Sequence, residues 1–409
     1  MNRTAARLPF HYGWVVVFAG MLAIFACLGI GRFALGMLLP SMGGSLGLSY
    51  AQMGLISTGN FVGYLAAALV CGHLVARFGY RPLIVAALAG VGVSLVLVSR
   101  ANGFHQVLAV YLLTGFASGA ANVPVMALVS HWFTRQRRGR AAGFIVIGSG
   151  FAIMFTGLLV PAVNAAYGAE GWRLSWLVLG GIVLVIAVVC GWLLRDDPGH
   201  MGLAPAGRAP DAAAATSHPV SDEDPSRHRR LLLHLGAIYF GFGFTYVIYA
   251  TFIVTTLVEE WGFSEAVAGR FWVWVGLLSL FSGPVFGTLS DRFGRRAGLA
   301  TVFAMQMLAY LLVALQLPLP FLYMSVVCFG LVAWSIPSIM AATVGDYMGP
   351  AHAAAAFGYI TFFFGIGQTA GPALAGMLAE ASGSFSSSYF MAAGVVGVAM
   401  VLTALLRRP

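Results

Sequence analysis

The decapeptide GHLVARFGYR, Gly72 to Arg81, returns 215 residues later as GTLSDRFGRR, Gly287 to Arg296, with six of the ten positions identical. Each copy falls where a long apolar run ends and another begins within a few residues. Such a junction reads as a tight, arginine-bearing turn between two membrane helices. The same offset carries Gly47, Ser49, Ala51 and Gly54 onto Gly262, Ser264, Ala266 and Gly269. It also carries Gly115 onto Gly330, and Gly143 and Gly150 onto Gly358 and Gly365. One spacing held across most of the chain predicts two halves of like fold.

Composition agrees with a chain that lives in a bilayer. Of 409 residues, 60% are hydrophobic and 9% charged, with a mean hydropathy of +0.89, whereas soluble domains carry about 25% charged residues. The formal charge of +9 comes from 22 basic residues, all of them Arg. Most sit in short loops, where membrane orientation accounts for them and nucleic acid need not be invoked. Cys27, Cys71, Cys190 and Cys328 lie inside apolar runs without paired spacing, so they read as packing residues and not as metal ligands or a disulfide framework. No cofactor is expected.

A crossing helix needs about 20 apolar residues, and that length divides the chain into twelve spans near 13–41, 50–75, 82–99, 105–130, 141–163, 174–194, 232–258, 268–290, 297–316, 320–345, 354–378 and 387–406. With the N-terminus inside, the inner segments collect Arg3, Arg7, Arg77, Arg81, Arg135, Arg137, Arg138, Arg140, Arg195, Arg208, Arg227, Arg229, Arg230, Arg292, Arg295, Arg296, Arg407 and Arg408. The outer loops hold only Arg100 and Arg173. This bias predicts a multi-pass protein of the inner (plasma) membrane with both termini cytoplasmic. The domain reading is a six-helix half over 1–194, a linker over 195–230 and a second half over 231–409. The charged end of that linker, SDEDPSRHRR, reads as a solvated tether, with a short surface helix as the alternative. Gly371-Pro372 is expected to kink helix eleven.

The turn resembles the G-x-x-x-D-R-x-G-R-R signature of the major facilitator superfamily. Gly287, Asp291, Arg292, Gly294, Arg295 and Arg296 satisfy every defined position; the first copy keeps Gly72, Arg77, Gly79 and Arg81 but has Ala76 in place of the Asp. The resemblance covers essentially the whole chain and implies an all-α membrane protein of twelve transmembrane helices in two pseudo-symmetric halves. It further implies a central substrate site and alternating access by rocking of the halves. RDDPGHMGLAPAG and the Tyr12-Gly13-Trp14 start of helix one are similar to the oxalate-type and monocarboxylate-type branches. The Arg those branches carry in helix eight is Gly283 here, and the helix-four Arg of many proton-coupled members is Tyr111.

Charge inside a bilayer is costly and therefore informative. Arg32 lies about ten residues from the outer end of its span, which puts it about 15 Å deep. Asn60, Tyr249 and Gln368 come out at similar depth, and Asn122 and Trp334 fall near the middles of helices four and ten. With Tyr64 beside Asn60, these residues form the candidate substrate site. A guanidinium offers a two-point fork to a carboxylate; the competing role for Arg32 is a brace between helices. His73 reads as structural, and Arg270 as part of the outer mouth. No Asp or Glu falls in the middle of any span.

The expected function is secondary transport of a small solute, an organic anion such as a monocarboxylate, with a proton or by exchange. An exporter of hydrophobic or drug-like compounds is the alternative within the class, and a membrane sensor on a transporter scaffold is the alternative outside it. No nucleophile, base or metal cluster points to an enzyme. Partners are the small-molecule substrate, the lipid bilayer and, as a co-substrate to be tested, protons; a monomer is expected. By the superfamily's pseudo-two-fold, Asp291 should face Arg135, Arg137, Arg138 and Arg140 when the cytoplasmic end is closed. Ala76 and the turn from Met348 to Gly358 lack such a pair.

Overall fold

The computed structural model describes residues 10–207 and 225–406. Arg3, Arg7, Arg208, Arg407 and Arg408, five of the orientation-setting arginines, lie outside the described residues. Within them the chain is nearly all helix, and the one β-type contact is an isolated bridge between Phe133 and Ala206.

Eleven stretches are long and apolar enough to cross a membrane. One of them, Gln136–Leu193, is two helices joined by a 3-10 turn at Gly168–Glu170. Trp132 Nε1, just before the first of these helices, donates to the Arg195 carbonyl just after the second, at 2.8 Å. The pair is therefore a hairpin, and the count is twelve crossings. They are α1 (Gly13–Leu46), α2 (Tyr50–Phe78), α3 (Tyr80–Val98), α4 (Phe104–Trp132), α5 (Arg135–Tyr167) and α6 (Gly171–Leu193). Then follow α7 (His228–Glu260), α8 (Glu265–Phe293), α9 (Arg295–Ala314), α10 (Leu319–Gly349), α11 (Ala355–Ser382) and α12 (Ser386–Leu405).

The 215-residue offset is written into the backbone. Gly47 and Gly262 both adopt left-handed φ, 63° and 68°, and so do Gly79 and Gly294 in the two turns, at 81° and 93°; these are conformations only glycine takes without strain. Ser49 and Ser264 each cap the helix that follows, accepting from Gln52 and Val267. Helices pack in two sets: α2 on α4, α3 on α4 and α6, α1 on α5, and separately α7 on α11 and α12, α8 on α10, α9 on α12. The sets meet along α2 with α11, α5 with α8, and α1 with α7.

Several expectations need correction. α1 runs to Leu46, five residues past its expected limit, continuing through Pro40 and Gly43-Gly44 and stopping at the left-handed Gly47. It is also not α-helical throughout, since Phe25–Phe33 forms a π-helix. In α11 the backbone stays helical through Gly371-Pro372, and the non-helical residue is Gly349, φ 70°, between α10 and α11. A Cβ on Gly371 would strike the Phe244 backbone of α7, so close packing supports the helix where the proline removes a hydrogen bond. The tether reading of SDEDPSRHRR fails from Pro225 onward, where the chain is already helical; Ser221 to Asp224 lie outside the described residues. The start of the expected linker folds back on the arginine-turn end. Thr134 N–H and the Ala206 carbonyl bond at 3.2 Å, and Asp197 caps a 3-10 turn at Pro198–Met201.

Candidate substrate site

Between the two sets lies a cavity of about 520 Å³, walled by α1, α2, α4, α5, α7, α10 and α11. From the level of Arg32 it extends toward the arginine-turn end, past Leu69 of α2, Met126 of α4, Tyr239 of α7 and Phe357 of α11. On the opposite side of Arg32 only about 10 Å³ of space remains, against Gly36, Ser57 and Thr251. Beyond it the sets close on one another: Ser57 and Thr251 hydroxyls lie 3.1 Å apart, and Thr58 Oγ1 donates to the Thr369 carbonyl at 2.8 Å. Farther out, Ser49 bonds to Glu380 and Asn164 to Glu265, each at 2.6 Å.

Arg32 sits near the end of the π-helix and is 9% exposed. A π turn widens the helix and leaves carbonyls out of the regular ladder. Two of them are taken up by side chains: Asn60 Nδ2 donates to Gly31 O at 3.2 Å, and Tyr111 OH to Arg32 O at 3.2 Å. Asn60 and Tyr111 thus hold the segment that presents Arg32. The guanidinium carbon is 4.5 Å from the Phe61 ring centre and 4.4 Å from that of Tyr64, contacts that suit the delocalised cation. Nε and Nη2 are buried without a hydrogen-bond partner. No carboxylate pairs with Arg32 among the described residues.

Of the expected site residues, Arg32, Tyr64, Asn122, Trp334 and Gln368 line this one cavity. Asn122 Nδ2 donates to Tyr64 OH at 2.6 Å. Gln368 donates to the hydroxyl of Tyr246, whose ring meets Trp334 edge-on at 5.8 Å. Asn60 and Tyr249 are not on the wall. Tyr249 is turned into the second helix set, stacked on Phe329 at 4.0 Å with its hydroxyl 3.0 Å from Ser325. Sequence reading missed Tyr246, one turn before Tyr249, and the aromatic wall of Phe33, Phe61, Tyr239 and Phe364. Depth counting gave Tyr249 a height but no face, and α7 is largely apolar. Trp334 reaches the wall at a break in α10: its backbone N–H leaves the helical ladder and donates to Ser282 Oγ at 2.9 Å.

The arginine turns hold their own helix sets. Arg81 N–H donates to Asp196 at 2.7 Å and its Nε to the Gly191 carbonyl at 2.8 Å, so the linker's first residues supply the carboxylate missing at Ala76. In the second copy Arg295 pairs with Asp291 and, at 2.6 Å, with Asp346. The contacts described for Arg138 go to the Phe133 and Ser130 carbonyls, and Arg140 lies over Trp14 and Phe144. With the cavity reaching this end, the pairing expected between Asp291 and α5 is not formed by either.

Two pseudo-symmetric sets of crossing helices around one central, single-mouthed cavity define a transporter of the major facilitator type. Residues 24–404 match the family described as uncharacterised MFS-type transporter YbfB, and the chain belongs to that family. It is 23% identical to the probable sulfoacetate transporter SauU of Cupriavidus necator, over 90% of this chain and 88% of that one. It is 25% identical to monocarboxylate transporter 2 of Mesocricetus auratus, over 94% and 82%. Its fold is similar to that of a bacterial homologue of the human lysosomal transporter Spinster in an inward-facing, unoccupied conformation. That likeness has a TM-score of 0.70 at 16% identity and covers 96% and 95% of the two chains.

Proposed function

We propose that this transporter moves a small organic anion by alternating access, with Arg32 as the counter-charge. One observation carries the proposal: a buried guanidinium on the cavity wall, without a carboxylate partner among the described residues and with two donors unsatisfied. An unpaired buried charge is unfavourable, so a site of this kind is built for a ligand of opposite sign. Relatives named for sulfoacetate and monocarboxylates support the anion class. With the arginine-rich end in the cytoplasm, as the charge bias predicts, the cavity opens inward.

Among the described residues, no Asp or Glu lines the cavity. A proton that moves therefore travels with the anion or is replaced by exchange against another anion. The largely apolar wall favours a second reading, export of hydrophobic compounds. Uptake into proteoliposomes of a labelled panel of carboxylates, sugars and amino acids, with and without a pH gradient, separates the two. Carboxylate uptake lost in Arg32→Ala supports the proposal, and transport by that variant at the wild-type rate refutes it.

A further inference from the structure

Arg32 stands on a stretch of helix that the repeat does not reproduce. The π-helix Phe25–Phe33 ends on a wide bond, from Ala34 N–H to Gly29 O. One repeat later, α7 is a regular α-helix through Thr255, and its own π turn is confined to Thr256–Glu260 at its end. The wide segment fits because glycine stands where it meets its neighbours. A Cβ on Gly29 would overlap that of Ala152 in α5, and one on Gly31 would lie 2.9 Å from Ser118 Oγ in α4. The residues 215 positions later are Phe244 and Tyr246.

The side chains that hold the segment are missing from the second half as well. Asn60 Nδ2 serves the Gly31 carbonyl and, at 3.4 Å, that of Tyr111, whose hydroxyl in turn holds the Arg32 carbonyl. The offset of 215 carries Arg32, Asn60 and Tyr111 onto Val247, Val275 and Val326, all three buried. For Asn60 the correspondence also holds in space. A Cβ on Gly115 would strike the Asn60 backbone, and one on Gly330, its repeat mate, would lie 3.4 Å from Val275 Cα. The same packing is thus built once with valines against a regular helix. The cation, the widened helix and both polar supports occur together, in the first half alone.

We infer that Asn60 and Tyr111 are positioning residues for the anion receptor: they keep α1 in its π register, and that register sets Arg32 at the cavity wall. The inference rests on Arg32 being the receptor. An α-helix turns by about 100° per residue, so relaxing the segment to α-helix turns Arg32 off its present face. Supports of this kind fix the geometry of a binding group without touching its ligand.

Tyr111→Phe keeps the ring edge-on to Trp176 and removes only the hydroxyl bond; Asn60→Val installs the residue found one repeat later. Hydrogen exchange, thermal unfolding and binding of acetate, benzoate and sulfoacetate are measured on the same liposome-reconstituted preparations. The control is Tyr249→Phe, which removes an equally buried hydroxyl contact, to Ser325. Each of the two variants is expected to speed amide exchange over 25–34 and to weaken the tightest-binding probe, both by about fivefold or more, the worth of one hydrogen bond. Tyr249→Phe should leave both at the wild-type value. If Arg32→Ala abolishes binding while Asn60→Val and Tyr111→Phe bind as tightly as the wild type, whatever their unfolding midpoints, the receptor stands and the positioning role is overturned. Unchanged exchange over 25–34 in both variants also overturns it. If Arg32→Ala binds the probes as the wild type does, or the wild type binds none of them, the receptor reading falls and this inference with it.

Discussion

Ser49 Oγ donates a 2.6 Å hydrogen bond to Glu380, a residue 331 positions later on the opposite helix set, and the same carboxylate oxygen accepts from Ala51 N–H at 2.9 Å. Glu380 thereby caps the start of α2 with a negative charge, where the helix dipole favours one. The start of α8, one repeat later, is joined to α5 by Glu265 and Asn164 at 2.6 Å. Two of the three crossings between the sets, α2 with α11 and α5 with α8, are thus clasped by a carboxylate at the end remote from the arginine turns.

Glu265→Gln and Glu380→Gln should each loosen this end and raise the population open at it. A hydrogen bond to a charged group contributes about 1.5–3 kcal/mol when dry and less when partly wet. For Glu265, which is partly buried, a shift of about three- to tenfold in the two-state ratio is expected. Spin-label distances between the ends of α5 and α8 remote from the arginine turns read it directly; an unchanged distribution in Glu265→Gln would mean the clasp does not hold the state.

Glycines seal the same end by backbone contact. A Cβ on Gly54 would strike the Pro372 carbonyl, and one on Gly269 the Gly157 carbonyl, each belonging to the other set. Gly115, by contrast, meets the Asn60 backbone within its own set. Gly54→Ala and Gly269→Ala should open the outer end with little loss of stability, while Gly115→Ala should lower the melting midpoint, overpacking costing about 1–3 kcal/mol. Outer-end cysteine accessibility and thermal unfolding, measured on the same preparations, distinguish the two outcomes.

Arg32→Ala should abolish anion binding without lowering the unfolding midpoint of the ligand-free protein, because it removes a buried charge that no partner compensates. Arg32→Lys should retain weak binding, an ammonium being a point charge where a planar fork is needed. A brace would behave in the opposite way. A clear drop in midpoint with Arg32→Ala, together with surviving transport, would establish that role.

Arg295 has two carboxylate partners, with side-chain exposures of 67% for Asp291 and 44% for Asp346. Each of Asp291→Asn and Asp346→Asn should cost less than about 1 kcal/mol, since the other acid remains and exposed pairs contribute little. The double variant should cost more than the sum of the singles, as residues in one network couple. Additive unfolding free energies would show that Arg295 relies on one partner only.

The fold was legible because the offset of 215 relates local signals that survive without tertiary context. Gly47 and Gly262, Gly79 and Gly294, Ser49 and Ser264 mark helix ends by backbone conformation and capping, and the membrane fixes helix length. Depth was legible for the same reason: a fixed rise per residue placed Arg32, Asn122, Trp334 and Gln368 at heights that the cavity spans. Which face a residue takes was not. In a bilayer both the lipid side and the packed side of a helix are apolar, so sequence carries no amphipathic stripe to tell them apart. Tyr249 and Tyr246 therefore read alike, and packing sent the first into the second helix set and the second to the cavity. The π-helix over Phe25–Phe33 adds a turn of register that no local residue preference announces. It made Asn60 and Tyr111 supports of the Arg32 backbone, a role fixed only once α1, α2 and α4 had packed together.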